Sequence, residues 1–103
     1  MTVALPEPFR LVALDSVGST NAEALRRAAD GAPSGTVVWA REQREGRGRR
    51  GRHWDSPAGN LYCTVLLRPG VTPAVAAQLS FVAAVALAEA LSVLAPGTIV
   101  SLK

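Results

Sequence analysis

Scarcity is the first thing this 103-residue chain shows. Cys63 is its one cysteine, which excludes a disulfide framework and a thiolate metal site and suits a reducing compartment such as the cytoplasm. His53 is its one histidine, with no serine, cysteine or metal-ligand pattern around it. It reads as a surface or loop-packing residue, not a general base. Lysine occurs only as Lys103, beside abundant arginine and alanine, a bias that coding preference explains as well as function does. The opening "MTVALPEPFRLVAL" has no basic stretch followed by a long apolar run, so no signal peptide is expected. Charged residues make up only 18% of the chain and hydrophobic ones 49%, the profile of one globular unit with a small core.

One long apolar run is present, "PAVAAQLSFVAAVALAEALSVLAP", and its length raises the question of a membrane. Gln78, Ser80, Glu89 and Ser92 interrupt it and no basic cluster flanks it, so a buried helix is expected and no membrane partner. Thr72 and Pro73 fit its N-cap and first helical position, and Pro96-Gly97 its end. Because its apolar surface runs almost all the way round, it is placed against a sheet and covered on its other sides.

The rest of the chain alternates strand and helix signals. "FRLVALDSV" reads as a strand ending in turn formers, and "GSTNAEALRRAADG" as a helix capped by Ser19 or Thr20 and stopped by Gly31. "GTVVWARE" is a second strand, "NLYCTVLLRP" a third and "TIVSLK" the start of a fourth. This order predicts an α/β (α+β) fold, a mixed sheet with helices packed on it. Trp39 and Trp54 are expected to pack in the core, Cys63 to be buried and inert, and Asp15 and Asp55 to serve as turn or cap residues.

Net charge is +3, and the excess is local. Between Arg44 and Arg52 five arginines (Arg44, Arg47, Arg49, Arg50 and Arg52) face a single acid, Glu45, on a backbone loosened by Gly46, Gly48 and Gly51. Guanidinium forks match phosphate or carboxylate oxygens, and glycines let a backbone approach a ligand closely. By itself the segment fits a loop over a small anion, a nucleic-acid contact or an inert tether. It is brief, internal and bounded by strands, with no aromatic inside it, which favours a loop closing on one bound molecule. "DSVGSTN", Asp15–Asn21, is a second candidate. At a strand-to-helix junction Ser19, Thr20 and Asn21 offer hydroxyls, an amide and backbone N–H groups, or simply cap the helix.

The pairing of "DSVGSTNAEA" with "AREQREGRGRRGRHWDSPAGNLYCTVLLRP", followed by an apolar helix and "SLK", resembles the catalytic domain of biotin protein ligases from about Leu14 to Lys103. That resemblance implies the biotin/lipoate ligase fold and ligation of biotin, using ATP, to a lysine of a biotin carrier domain of acetyl-CoA carboxylase or a related carboxylase. The intermediate would be biotinyl-5′-adenylate, with Mg²⁺ on the phosphates and a homodimer left open. Carried over by motif, Ser19, Thr20, Asn21, Gln43, Arg47, Gly48 and Arg49 contact biotin. Arg47 and Arg49 take the catalytic role, Gly46, Arg50, Gly51 and Arg52 complete the adenylate loop, and no residue is assigned as a metal ligand.

Only "MTVALPEPF" precedes the resemblance, so neither the helix-turn-helix of some members nor DNA binding is expected. Lys103 looks like the first residue of the family's Lys-Trp-Pro-Asn-Asp motif and is not assigned the role of the later catalytic lysine. Residues 1–103 are therefore expected to form the front part of a catalytic domain, with no turnover alone. The alternative is a small basic nucleic-acid-binding domain using Arg44 to Arg52.

Overall fold

The computed structural model describes residues 3–99 and 101. It divides into two compact units, Met1–Arg68 and Pro69–Lys103. In the first, strand β1 (Arg10–Val17) leads into helix α1 (Thr20–Ala29), strand β2 (Thr36–Gln43) and strand β3 (Tyr62–Val65). The sheet order is β1-β2-β3, with β1 and β2 parallel and β2 and β3 antiparallel, which makes the expected mixed sheet.

Alternation along β2 sets the core. Thr36, Val38 and Ala40 are buried, whereas Val37 and Trp39 between them are half-buried. Val38 and Ala40 are wholly inaccessible, and Val38 pairs with Val12 and Thr64 on either side. Burying a side chain of this kind contributes roughly 1.5–3 kcal/mol. Ala24 of α1 is also buried, and α1 packs against β2 and β3. The other sheet face forms a hollow of about 270 Å³ around Leu11, Val37, Trp39 and Cys63.

Three sequence expectations need correction here. Asp15 and Ser16 lie inside β1, not in a turn, because β2 carries the pairing on to Gln43 and Asp15 projects outward within 3.4 Å of Arg41. Cys63 is exposed, since β3 lies at the edge of the described sheet and Cys63 turns toward the face opposite Thr64. Trp54 is 65% exposed, on the Arg/Gly segment and away from the core.

Ser19 caps α1, its side chain accepting from the Ala22 N–H at 3.3 Å. At the other end of α1, Arg68 donates to the carbonyls of Ala28 (2.8 Å) and, just past the helix, Ala32 (2.9 Å), a cation placed at the negative end of the helix dipole. Gly35, at φ +95°, starts β2. A Cβ there would stand 2.7 Å from the Pro8 carbonyl oxygen, so only glycine fits.

In the second unit, Thr72 caps a short helix α2 (Pro73–Ala76) as expected, and α3 (Leu79–Leu94) follows. Hydrogen bonds at Ala77 and Gln78 shift to i→i+3, so the single helix read from sequence divides in two. No residue of α2 or α3 is buried, and Phe81, Val93 and Leu94 are each more than 70% exposed. Within its own unit, this helix pair finds no cover among the described residues. Pro73–Leu94 is long and apolar enough, by length and composition, to cross a membrane, whereas α3 alone is about 24 Å long, short of a span of about 30 Å. Thr98, Ile99 and Ser101 belong to no strand; Val100, Leu102 and Lys103, the rest of the expected fourth strand, lie outside the described residues.

Candidate functional site

Two buried polar residues show where chemistry gathers in the first unit. Thr20 and Ser56 are each only 4% exposed, yet both are fully engaged. The Gln43 carboxamide oxygen accepts from the Thr20 N–H at 2.8 Å and lies 3.2 Å from its hydroxyl, while the Gln43 amide nitrogen donates to Ser56 Oγ at 3.2 Å. Ser56 Oγ in turn donates to the Trp54 carbonyl. On the other side the Thr64 hydroxyl donates to Asn21 Oδ1 at 2.5 Å and lies 2.9 Å from Thr20 Oγ1. The start of α1, the end of β2, the middle of β3 and the base of the Arg/Gly segment are thereby joined in one network. Among the described residues no buried side-chain polar atom lacks a partner, so the network is fully satisfied and correspondingly rigid.

This network floors an open cleft of about 530 Å³ lined by Ser19, Thr20, Asn21, Gln43, Glu45 and Arg47, with Leu61, Tyr62 and Cys63 on the β3 side. Capping and ligand contact are compatible at Ser19. Its oxygen accepts from the helix, which leaves its proton free to donate into the cleft. Of the backbone N–H groups expected to stand open at this helix start, three are engaged within the protein and that of Asn21 has no partner among the described residues. Thr20 N–H goes to Gln43, Ala22 N–H to the Ser19 side chain and Glu23 N–H to the Ser19 carbonyl.

The Arg/Gly segment is a hydrogen-bonded hairpin with a tight tip. Arg47 bridges His53, Gly48 N–H donates to the Arg52 carbonyl at 2.7 Å, and Trp54 N–H donates to Gly46 at 2.8 Å. A single 3-10 turn, Arg49–Gly51, forms the tip, with Arg50 in the left-handed region at φ 59°. Gly46 is buried at the base, where a Cβ would collide with Ser56 Oγ and the Trp54 carbonyl. This position tolerates only glycine, and the reason is close approach.

The hairpin divides the residues that the sequence grouped together. Arg47 reaches the first cleft, whereas Gly48, Arg49, Arg50 and Arg52 line a second hollow of about 880 Å³ with His53 and Trp54. Among the described residues none of Arg47, Arg49, Arg50 and Arg52 is in an ion pair. Four uncompensated cations on one hairpin favour an anion there. His53 is exposed and lies 2.9 Å from Asp55, in keeping with a surface role. Among the described residues the one acid with a strongly shifted pKa lies outside the cleft lining. Hydrogen bonds from Arg26 and then Arg27 hold Glu23 of α1 down to about 2.

Thr64 and Glu45 line the cleft without having been singled out by sequence. Thr64 could have been found by counting, because in antiparallel register it sits opposite buried Val38 and so shares that residue's face. Glu45 carries no such signal.

Comparison with known proteins places this geometry. Residues 14–101 match the Biotin/lipoate A/B protein ligase family. A biotin–[acetyl-CoA-carboxylase] ligase of Paracoccus denitrificans is 59% identical over 73 residues, covering 71% of this chain and 30% of that protein. A bifunctional ligase/repressor BirA of Bacillus spizizenii is 39% identical over 80 residues, covering 77% of this chain and 25% of its own length. The crystal structure of the biotin protein ligase of Leishmania major in complex with biotinyl-5-AMP superposes with a TM-score of 0.67 at 32% identity, over 86% of this chain and 36% of that one. The chain thus spans about a third or less of the length of these relatives. With the Thr20–Gln43 network, the arginine hairpin and all of the sheet but the first residues of β1 falling within the matched residues, the chain belongs to the biotin/lipoate A/B protein ligase family.

Proposed function

We propose that this chain carries the biotin- and adenylate-binding part of a biotin protein ligase. The observation that bears most weight is the meeting of Ser19, Thr20, Asn21, Gln43 and Arg47 in one cleft. Ser19, Thr20, Asn21 and Gln43 hold the uncharged ring system of biotin. Arg47, with Gly48 and Arg49 beyond it, takes the carboxylate end. Gly46, Arg50, Gly51 and Arg52 shape and charge the hairpin over the nucleotide. The Leishmania relative's complex with biotinyl-5-AMP supports this choice of ligand.

In the reaction a biotin carboxylate oxygen attacks the α-phosphorus of ATP, and pyrophosphate leaves. The amine of a carrier lysine then attacks the acyl carbon and releases AMP. Two anions must meet in the first step, and charge gathers on the α-phosphate and on pyrophosphate. Guanidinium groups of Arg47 and Arg49, carried on the hairpin beside the cleft, offset that repulsion. The mixed anhydride is open to water, so a hairpin lying over it also protects it until the lysine arrives. Among the described residues no group of three His, Cys, Asp or Glu side chains is placed to hold a metal. A Mg²⁺ ion carried on the triphosphate would need no such cluster and would screen part of its charge. The acceptor is a biotin carrier domain of acetyl-CoA carboxylase or a related carboxylase, and the setting is a reducing cytoplasm, which suits an exposed, unpaired Cys63. The basic nucleic-acid-binding alternative gains nothing from the family relationship.

Biotinyl-5′-adenylate is expected to raise the melting temperature of the chain and to slow tryptic cleavage at Arg47 to Arg52. A mixed-sequence oligonucleotide should do neither. Protection by the oligonucleotide and not by the adenylate would reverse the assignment.

A further inference from the structure

We propose that Glu45 is a specificity-determining residue of the cleft, its carboxylate accepting hydrogen bonds from N–H donors on the ligand's ring head group. The inference rests on the biotin reading above and deepens it. Glu45 is the one acid lining the cleft among the described residues, and none of the ion pairs among those residues includes it. Its place is fixed by backbone, because Glu45 N–H donates to the Gly18 carbonyl at 2.8 Å, next to the Ser19 cap of α1. The carboxylate lies beside the turn into α1, with Glu45 Oε2 at an ordinary contact distance, 3.6 Å, from where a Cβ on Gly18 would stand.

The donor and acceptor count then suggests the partner. Gln43 has its oxygen committed to Thr20 and its nitrogen to Ser56, and Asn21 Oδ1 is committed to Thr64. Gln43 Oε1 thus has both acceptor positions filled by Thr20, and Asn21 Oδ1 has one of its two filled, whereas a cyclic urea brings two N–H donors that need acceptors. An ionised carboxylate accepts without donating, and charge-assisted bonds are the stronger kind. The same charge repels the ligand's own carboxylate. With Arg47 attracting it, the two residues orient the ligand with its ring toward Glu45 and its anionic end toward the hairpin.

The probe is 2-iminobiotin, in which a cyclic guanidinium replaces the urea and carries positive charge. Calorimetric titration of the natural chain and of Glu45→Gln with biotin and with 2-iminobiotin, below the pKa of the guanidinium, gives the ratio of their affinities. The substitution should weaken biotin severalfold and should lower the 2-iminobiotin-to-biotin ratio by about a further tenfold, because one charge-assisted contact is lost. Biotin bound by both proteins with an unchanged ratio overturns the role of Glu45 and leaves the biotin reading standing. Failure of the natural chain to bind either ligand overturns both.

Discussion

The two sides of the cleft are built on opposite principles. At the start of α1, neutral polar groups are buried, hydrogen-bonded to one another and held by two strands and a helix, with Thr20 4% exposed. On the hairpin, the arginines are exposed and unpaired among the described residues, on a backbone whose tip is a single turn. A neutral ring with fixed donors and acceptors is best read by groups that do not move. An anion that forms and departs is best met by charge on an element that can yield. The comparison implies that damage to the first side lowers both stability and affinity, whereas damage to the second lowers affinity alone.

The largest effect should come from Gln43→Leu. It removes the acceptor for Thr20 and the donor to Ser56, which leaves buried partners unpaired. Urea denaturation should show a loss of about 1–3 kcal/mol, together with a loss of biotin binding. A stable variant that still binds biotin would break the contrast between the two sides. Arg47→Ala comes next. It should weaken biotinyl-5′-adenylate by about one to two decades while leaving the urea midpoint nearly unchanged. Arg49→Gly should do less to initial binding, since Arg49 lines the second hollow, and more to retention, read as faster release of pre-bound adenylate in a chase.

Gly46→Ala tests the joint between the sides, where a methyl group meets Ser56 and the Trp54 backbone. Overpacking of this kind costs about 1–3 kcal/mol. Its distinguishing sign is loss of both properties at once, seen in melting and titration together. The smallest effect belongs to Glu23. Hydrogen bonds from Arg26, then Arg27, lower its folded pKa from 4.5 to about 2. The unfolded state therefore takes up the proton first as the pH falls. The stabilisation is present in full above about pH 4.5 and is lost toward pH 2. Because the pairs lie at the surface, Glu23→Gln should cost only about 0.5–1 kcal/mol at pH 7 and flatten the acid limb of the stability curve.

Much of this was legible in residue order, for reasons that particular residues make plain. Ser19 before an Ala-Glu-Ala-Leu run and Thr72-Pro73 before an apolar run are local signals, and both helix starts fall where they point. The buried face of β2 at Val38 and Ala40 was not marked in this way, because Val37 and Trp39 between and beside them are just as apolar. Gln43 was anonymous by comparison. Its importance comes from contacts 23 residues back at Thr20 and 13 residues ahead at Ser56, which no local pattern encodes. Cys63 and Trp54 were read as core on hydrophobicity, but strand position at the sheet edge and attachment to the hairpin leave both exposed. The Arg/Gly segment announced its charge. Its hairpin geometry, which sends Arg47 and Arg49 to different hollows, depends on the turn at Arg50 and stayed hidden.

The central claim is that one bound molecule spans both sides, its ring against Thr20 and Gln43 and its acyl-phosphate at Arg47. A crystal structure of the chain with biotinyl-5′-adenylate tests this most directly. The account predicts the ureido ring within hydrogen-bond distance of the Ser19–Asn21 side chains and the phosphate within reach of the Arg47 guanidinium. A ligand lodged elsewhere, with the hairpin turned to solvent, would contradict it.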